Sequence, residues 1–188
     1  MRSKKVAYGE QERLEMDWIL FNKRKAVLEH RRMWKWIAHA IAVDKESIHE
    51  DIWHYKNEYL TTMILLNEDL KKEATTEDEK QFYEEKISYY RQTIVDADCF
   101  CCRFMYQYVY HAPQFEIVNK RSYKECKYLC PVVWERTTVS GTKETDAYCG
   151  VSYYGRIDNK ANHKEWKKCC KLAYKIAMLP ERSIEDYV

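Results

Sequence analysis

The sequence predicts a mainly α protein: a long N-terminal helix and an acidic αα-hairpin, followed by a small cysteine-rich α+β part. Three observations lead there. Only 4 glycines and 3 prolines interrupt 188 residues, so helix breakers are scarce and long irregular loops are disfavoured. Apolar residues recur at three- and four-residue steps through most of the N-terminal half. Two Ser/Thr-x-x-Glu boxes punctuate that pattern, each a helix start in which hydroxyl and carboxylate satisfy each other's exposed amides.

The elements follow in order. Over 10–43, Leu14, Trp18 and Phe21, then Met33, Trp34, Ile37, Ala40 and Ile41, mark one helical face, and Arg24, Lys25, Arg31, Arg32 and Lys35 fall on the polar side. Asp44, Lys45, Glu46 and Ser47 break this helix. A box from Ser47 to Glu50 then opens a second one, with Ile48, Ile52, Tyr55, Tyr59, Met63, Leu66 and Leu70 as its apolar stripe. A second box, Thr76 to Glu79, restarts helix after a polar turn, and Phe82, Ile87, Tyr90 and Ile94 carry it toward Asp98. Residues 47–98 therefore read as an antiparallel helical hairpin, which completes a helical region over 1–98.

After Asp98 the texture changes. All eight cysteines and all three prolines fall in 99–188. The β-branched stretch 132–139 reads as a strand able to pair with 147–154 in a short β-hairpin. A last helix begins near Asn162, with Glu165 at N3, and runs through Trp166, Cys169, Ala173 and Ile176 to Leu179 before Pro180.

Composition bounds the class. Aromatic residues make up 14% of the chain, enough for a real core, and no apolar run is long enough to span a bilayer. The basic N-terminus has no apolar stretch behind it, so it is not a secretory signal, and a cytoplasmic protein is expected. The net charge of +2 hides an uneven layout. Residues 1–43 carry 10 basic and 5 acidic side chains, 44–98 carry 7 and 15, and 99–188 carry 15 and 10. Such a basic–acidic–basic chain suits intramolecular docking, a nucleic-acid surface or an acidic face for a basic partner; solvated helix faces are the plain alternative.

The strongest local signal is in the cysteines. Cys99 and Cys102 form a C-x2-C knuckle, and Cys126 and Cys130 form a C-x3-C pair followed by Pro131. Two such knuckles supply the four thiolates of a tetrahedral zinc site, and thiols kept reduced favour metal over disulfides. Cys101 and Cys149 are alternative donors, His111 and His163 are spare ones, and Cys169 and Cys170 read as buried small hydrophobes. No H-E-x-x-H or H-x-E element accompanies the cysteines, so the zinc is expected to be structural and to stabilise the C-terminal part.

Around these cysteines a wider order is visible. A Trp-rich basic helix (Arg32, Trp34, Lys35, Trp36) precedes the C-x2-C, and a knuckle ending in Cys130-Pro131 comes next. Cys149 then stands ahead of Tyr153 and Tyr154, and the final helix ends in Ile176, Ala177, Met178, Leu179 and Pro180. The whole resembles small uncharacterised proteins encoded by phages and prophages of Gram-positive bacteria, which carry C-x2-C and C-x2-C-P knuckles in similar order. The matching pieces cover about a third of the chain. The C-x3-C spacing and the acidic stretch 44–98 depart from the pattern. The resemblance implies an origin and carries no activity with it.

Other chemistry is sparse. His49, Glu50, His54 and Glu58 sit at helical spacing without further marked ligands. Gly-rich phosphate loops and G-x-S-x-G are absent, and no enzyme is expected, although a cryptic site is one alternative. Nucleic-acid binding has two candidate clusters: Lys120, Arg121, Lys124 and Lys127 beside Tyr123 and Tyr128, and Lys164, Lys167, Lys168, Lys171 and Lys175 interleaved with Trp166 and Tyr174. The leading expectation is a non-enzymatic binding protein that docks on a bacterial host protein or ribonucleoprotein. A defence effector such as a CRISPR nuclease fits as target, and the acidic face of Glu77, Asp78, Glu84 and Glu85 would engage it. A zinc-stabilised nucleic-acid binder using the basic C-terminal half is the alternative, and no membrane partner is expected.

Overall fold

Glycine and proline are both absent between Glu10 and Asp44, and that stretch forms one uninterrupted 35-residue helix, α1. The computed structural model describes residues 10–49, 51–96, 100–108, 130–133 and 153–182. Met33, Trp34, Ile37 and Ile41 of α1 are buried and Ala40 is half-buried, while Arg24, Lys25, Arg32 and Lys35 face water, as the periodicity requires. Phe21 departs from the pattern and stands 67% exposed. The side chains of Leu14 and Trp18 lie outside the described residues.

A 3-10 turn, Lys45–Ser47, ends α1, and Lys45 takes φ 50°, the left-handed region usually left to glycine. The box expected from Ser47 does not cap the next helix. Its hydroxyl donates to the Asp44 carbonyl at 2.7 Å and is spent on the turn. Asp51 is the N-cap of α2 (Ile52–Glu73), with Oδ1 accepting the Trp53 N–H at 2.8 Å. Glu50 lies outside the described residues.

Helix α3 (Glu77–Asp96) returns antiparallel to α2. Its capping box forms as read: Thr76 Oγ1 accepts the Glu79 N–H at 3.2 Å, and Glu79 Oε2 accepts those of Thr76 and Thr75 at 3.1 and 3.0 Å. The apolar stripe of α2 is partly out of phase with the expected one. Asn67 is buried, its amide donating to the Met63 carbonyl at 2.6 Å, and Leu66 is exposed. In α3, Ile87 and Tyr90 are buried, whereas Phe82 and Ile94 are exposed. No apolar residue between 65 and 88 joins or packs on the central core. The distal half of the hairpin is thus an arm.

Helix α4 (Phe100–Tyr108) stands where a tight cysteine turn was expected. Its Phe100 is fully buried, with the rings of Tyr89, Tyr90 and Tyr59 around it at centroid distances of 5.7, 6.1 and 6.4 Å. That aromatic nest gives a short helix a reason to form. Helix α5 (Tyr153–Asn162) is a second correction: Tyr153 and Tyr154, read as strand residues, open a helix. Val132 bridges Glu181, and residues 147–152 of its expected partner stretch lie outside the described residues. Among the described residues there is no strand, only this isolated bridge, so the fold is mainly α and the expected β-hairpin falls largely on residues outside them.

The last helix, α6 (Trp166–Ala177), starts later than expected, with Glu165 at its N-cap and not at N3. Cys169, Ala173 and Ile176 form its buried face, as the spacing predicts. It lies along α1, with α4 also packed on α1 and α5 on α6. One core runs through Ile37, Ile41, Ile52, Tyr59, Phe100, Ile157 and Ile176, so residues before and after 98 share it.

Candidate functional site

The arm is held together by charge as well as by its interior. Lys71 of α2 meets Glu84 of α3 at 2.5 Å, and Arg91 of α3 meets Glu68 of α2 at 2.6 Å. Glu77 pairs with Lys80 within its own helix at 2.7 Å. Hydrogen bonds from Lys80 and Lys71 hold Glu77 and Glu84 below the ordinary carboxylate range, and the amides of Thr76 and Thr75 do the same for Glu79. These contacts are solvent-exposed, so they align the two helices more than they stabilise them.

The four acidic residues expected to form one face are split by helical geometry. Positions seven apart lie on the same face, which groups Glu77 with Glu84 and Asp78 with Glu85. The first pair is engaged by lysines, Glu84 across the hairpin. The second lies with Phe82 on an open stripe: Asp78 and Glu85 are exposed and in no ion pair among the described residues, although Gln81 donates to Glu85 at 3.2 Å. Phe82 stands 52% exposed between them, and Leu65 and Leu66 are exposed on α2.

At the base, Glu29 of α1 anchors the hairpin. Its carboxylate is buried, and it accepts hydrogen bonds from the Tyr90 hydroxyl at 2.9 Å, the Tyr59 hydroxyl at 3.3 Å and Arg32 Nη1 at 2.7 Å. Burial first, and then the Glu29 charge, push both phenols well above the ordinary tyrosine range, so they remain hydroxyl donors. One acid on α1 thereby fixes one tyrosine from each helix of the hairpin. Sequence reasoning missed this cluster; its one local signal is the Glu29–Arg32 spacing.

The basic candidates divide likewise. Lys120, Arg121 and Lys124 lie outside the described residues. Lys167, Lys168 and Lys171 are exposed on α6, with Tyr174 and Met178 continuing the outer stripe. Lys168 is engaged by Glu165, which also pairs with Lys160 at 2.8 Å. The hydrogen bonds from Lys160 and Lys168 hold the Glu165 carboxyl down to about 2. Lys167 lies over the Trp166 ring at 5.4 Å.

Of the metal candidates, Cys99, Cys126 and Cys149 lie outside the described residues. Cys101 and Cys102 are buried on α4, and Cys130 is buried just before the bridge at Val132. Cys102 is on a helix, not in a turn, yet it and Cys130 belong to the same core. Among the described residues no three His, Cys, Asp or Glu side chains converge on one point. Cys169 is a buried thiol, as expected, and Cys170 is only half-buried: Cys169 donates toward the Ile157 carbonyl at 3.8 Å, and burial pushes its thiol up to about 11. His49 and His54 stack with ring centroids 4.2 Å apart, and His49 precedes α2, so they do not share a helix face. No described helix is long and apolar enough to cross a membrane. No family model matches this chain, and neither does any curated protein or solved structure.

Proposed function

We propose that the chain is a non-enzymatic binding protein of phage origin that docks on a bacterial host protein or ribonucleoprotein through the α2–α3 arm. The observation that carries this reading is the open α3 stripe. Asp78, Phe82 and Glu85 stand exposed there, while Glu77 and Glu84 are engaged by lysines. An aromatic centre flanked by charge on a braced scaffold has the composition of a docking surface. Its sign suits a basic cleft, and electrostatic steering would speed capture in a salt-dependent way. A CRISPR effector, with a positively charged channel for its heteroduplex, is one target of that kind. The phage origin rests on the cysteine order and the Trp-rich basic helix.

The same reading places one structural zinc on Cys99, Cys102, Cys126 and Cys130, supported by the shared core position of Cys102 and Cys130. Capture from bacterial lysate tests the docking surface. Parent protein is compared with an Asp78→Lys, Glu85→Lys variant, each with and without nuclease. Loss of host proteins on charge reversal, with nuclease making no difference, is the expected result. Capture that needs nucleic acid, survives that reversal and fails in a Lys167→Glu, Lys171→Glu variant would place the binding surface on α6 instead.

A further inference from the structure

Helix α1 packs on α6, α4 and α2, and the rest of its circumference stays open. At about 100° per residue, its exposed positions gather into one arc. Phe21, Leu28 and His39 follow the centre of that arc, with Arg24 and Lys35 on one side and Arg32 on the other. The helix is continuous through all of them. A rise of about 1.5 Å per residue sets Arg24 and His39 about 22 Å apart along the axis.

The arc carries one sign of charge. Glu29 is the only acidic residue from 18 to 43, and it is buried and taken up by two hydroxyls and Arg32. Six lysines and arginines fall in the same stretch, and the fold engages three of them. Lys23 is buried against Glu181, Arg31 donates to the Leu179 carbonyl at 3.3 Å, and Lys25 rests on the Tyr89 ring. Arg24 and Lys35 are exposed and in no ion pair among the described residues. Arg32 gives Nη1 to Glu29, but its side chain is 58% exposed and its guanidinium has donors left for a second acceptor. A rigid line of like charges is repulsive on its own and is relieved by an anionic partner.

The chemistry favours a phosphate backbone over an acidic protein. Protein interfaces centre on an apolar core from which charge is depleted. Here the cations surround one leucine, with one phenylalanine at the end of the row. Nucleic-acid interfaces are polar and strongly positive. Single strands want successive aromatic faces on which bases can stack, and the arc offers only Phe21. The major groove of DNA admits a helix, whereas that of duplex RNA is deep and narrow.

We infer that the open face of α1 is a binding surface for duplex DNA, held through its phosphates and without sequence preference. Arg24 and Lys35 would meet one strand and Arg32 the other, with Leu28 and His39 toward the groove. The residues are distinct from the open stripe of the arm and from the α6 lysines, so the inference is independent of what the arm docks on.

Fluorescence anisotropy of the full chain with a labelled random-sequence duplex tests it. The parent should bind with Kd of about 10 μM or tighter at about 50 mM salt. Three neutralised phosphates give a slope of log K on log salt of about −2.7, a loss of about fortyfold between about 50 and 200 mM. Arg24→Gln with Lys35→Gln should bring the slope to about −0.9 and weaken binding at the lower salt about tenfold or more. Where that pair fails to fold, Lys35→Gln alone should still bring the slope to about −1.8. Lys167→Gln with Lys171→Gln on α6 should leave affinity and slope unchanged. No binding by the parent at low salt overturns the surface, and so does an unchanged slope in the folded α1 variants. Displacement of the duplex by polyglutamate at equal charge would make the face one for an acidic protein and overturn it too. Single-stranded DNA or duplex RNA bound as tightly as duplex DNA overturns the choice of partner.

Discussion

Glu29 shows how a single side chain couples distant parts of this chain. Its carboxylate accepts from two hydroxyls that lie 30 and 61 positions away in sequence. Replacing it by alanine leaves both phenols buried without that acceptor, and each orphaned group costs about 1–3 kcal/mol. Glu29→Ala should therefore lower stability by about 3 kcal/mol, read as a fall in the urea midpoint; Tyr59→Phe should cost less, because it removes donor and demand together. From sequence, Glu29 is one acid on a basic helix, because the pattern of a helix does not reveal which distant tyrosines will close on it. Glu165 carries a pH dependence whose sign can be worked out. Its folded carboxyl titrates at about 2, below the value near ~4.3 of an unfolded glutamate. The stabilisation from Lys160 and Lys168 is thus complete above the unfolded value and is lost as pH falls through about 2. Solvent screens these pairs, so the effect on stability is small and the carboxyl shift is the better readout. Carbon-detected NMR should place the Glu165 midpoint well below those of unpaired glutamates, and Lys160→Gln should move it up.

At the scale of elements, α1, α2, α3 and α6 were legible because each has a clear apolar period or a capping signal. Details of phase were not. Leu66 and Asn67 exchange their expected places because Asn67 satisfies its own amide on the Met63 carbonyl, which hydrophobicity alone does not register. Helices α4 and α5 were missed for a different reason. Cysteines and paired tyrosines suggest turns and strands locally, but Phe100 and Ile157 are drawn into the core and carry their segments with them. The candidate acidic residues are all exposed and helical spacing alone divides them into two stripes, but that Lys71 engages the Glu84 stripe appears only once α2 is placed beside α3. That division predicts an asymmetry between neighbouring residues. Glu84→Lys sets a lysine opposite Lys71 and should lower the urea midpoint. Glu85→Lys should change stability by less than about 0.5 kcal/mol. Urea unfolding followed by helical circular dichroism separates the two, and equal losses would contradict the assignment of Glu84 to the brace.

Across the whole molecule, α1 is the spine on which both halves meet. Lys23, nearly fully buried, pairs with Glu181 at 3.0 Å and donates to the Arg182 carbonyl, drawing the C-terminal tail onto the N-terminal helix. The uneven charge layout could be counted from sequence, but its meaning depends on which charges are consumed inside the fold. Here Lys71, Arg91 and Lys80 are paired with hairpin carboxylates, and on α3 Asp78 and Glu85 stay exposed and in no ion pair among the described residues. The cysteine reading has its own check at this scale. Elemental analysis of protein purified without added metal should give one zinc per chain, and chelation should loosen the C-terminal half while most helical signal remains. A metal-free chain with unchanged stability in chelator contradicts it. The central claim, that the open stripe of the arm is a docking surface for a basic host partner, is tested most directly by capture from nuclease-treated lysate over a salt series. The account predicts that the parent retains host proteins at low salt and releases them as salt rises, while the folded Asp78→Lys, Glu85→Lys variant retains none of them. Retention of the same proteins, with the same salt tolerance, by parent and variant would contradict it.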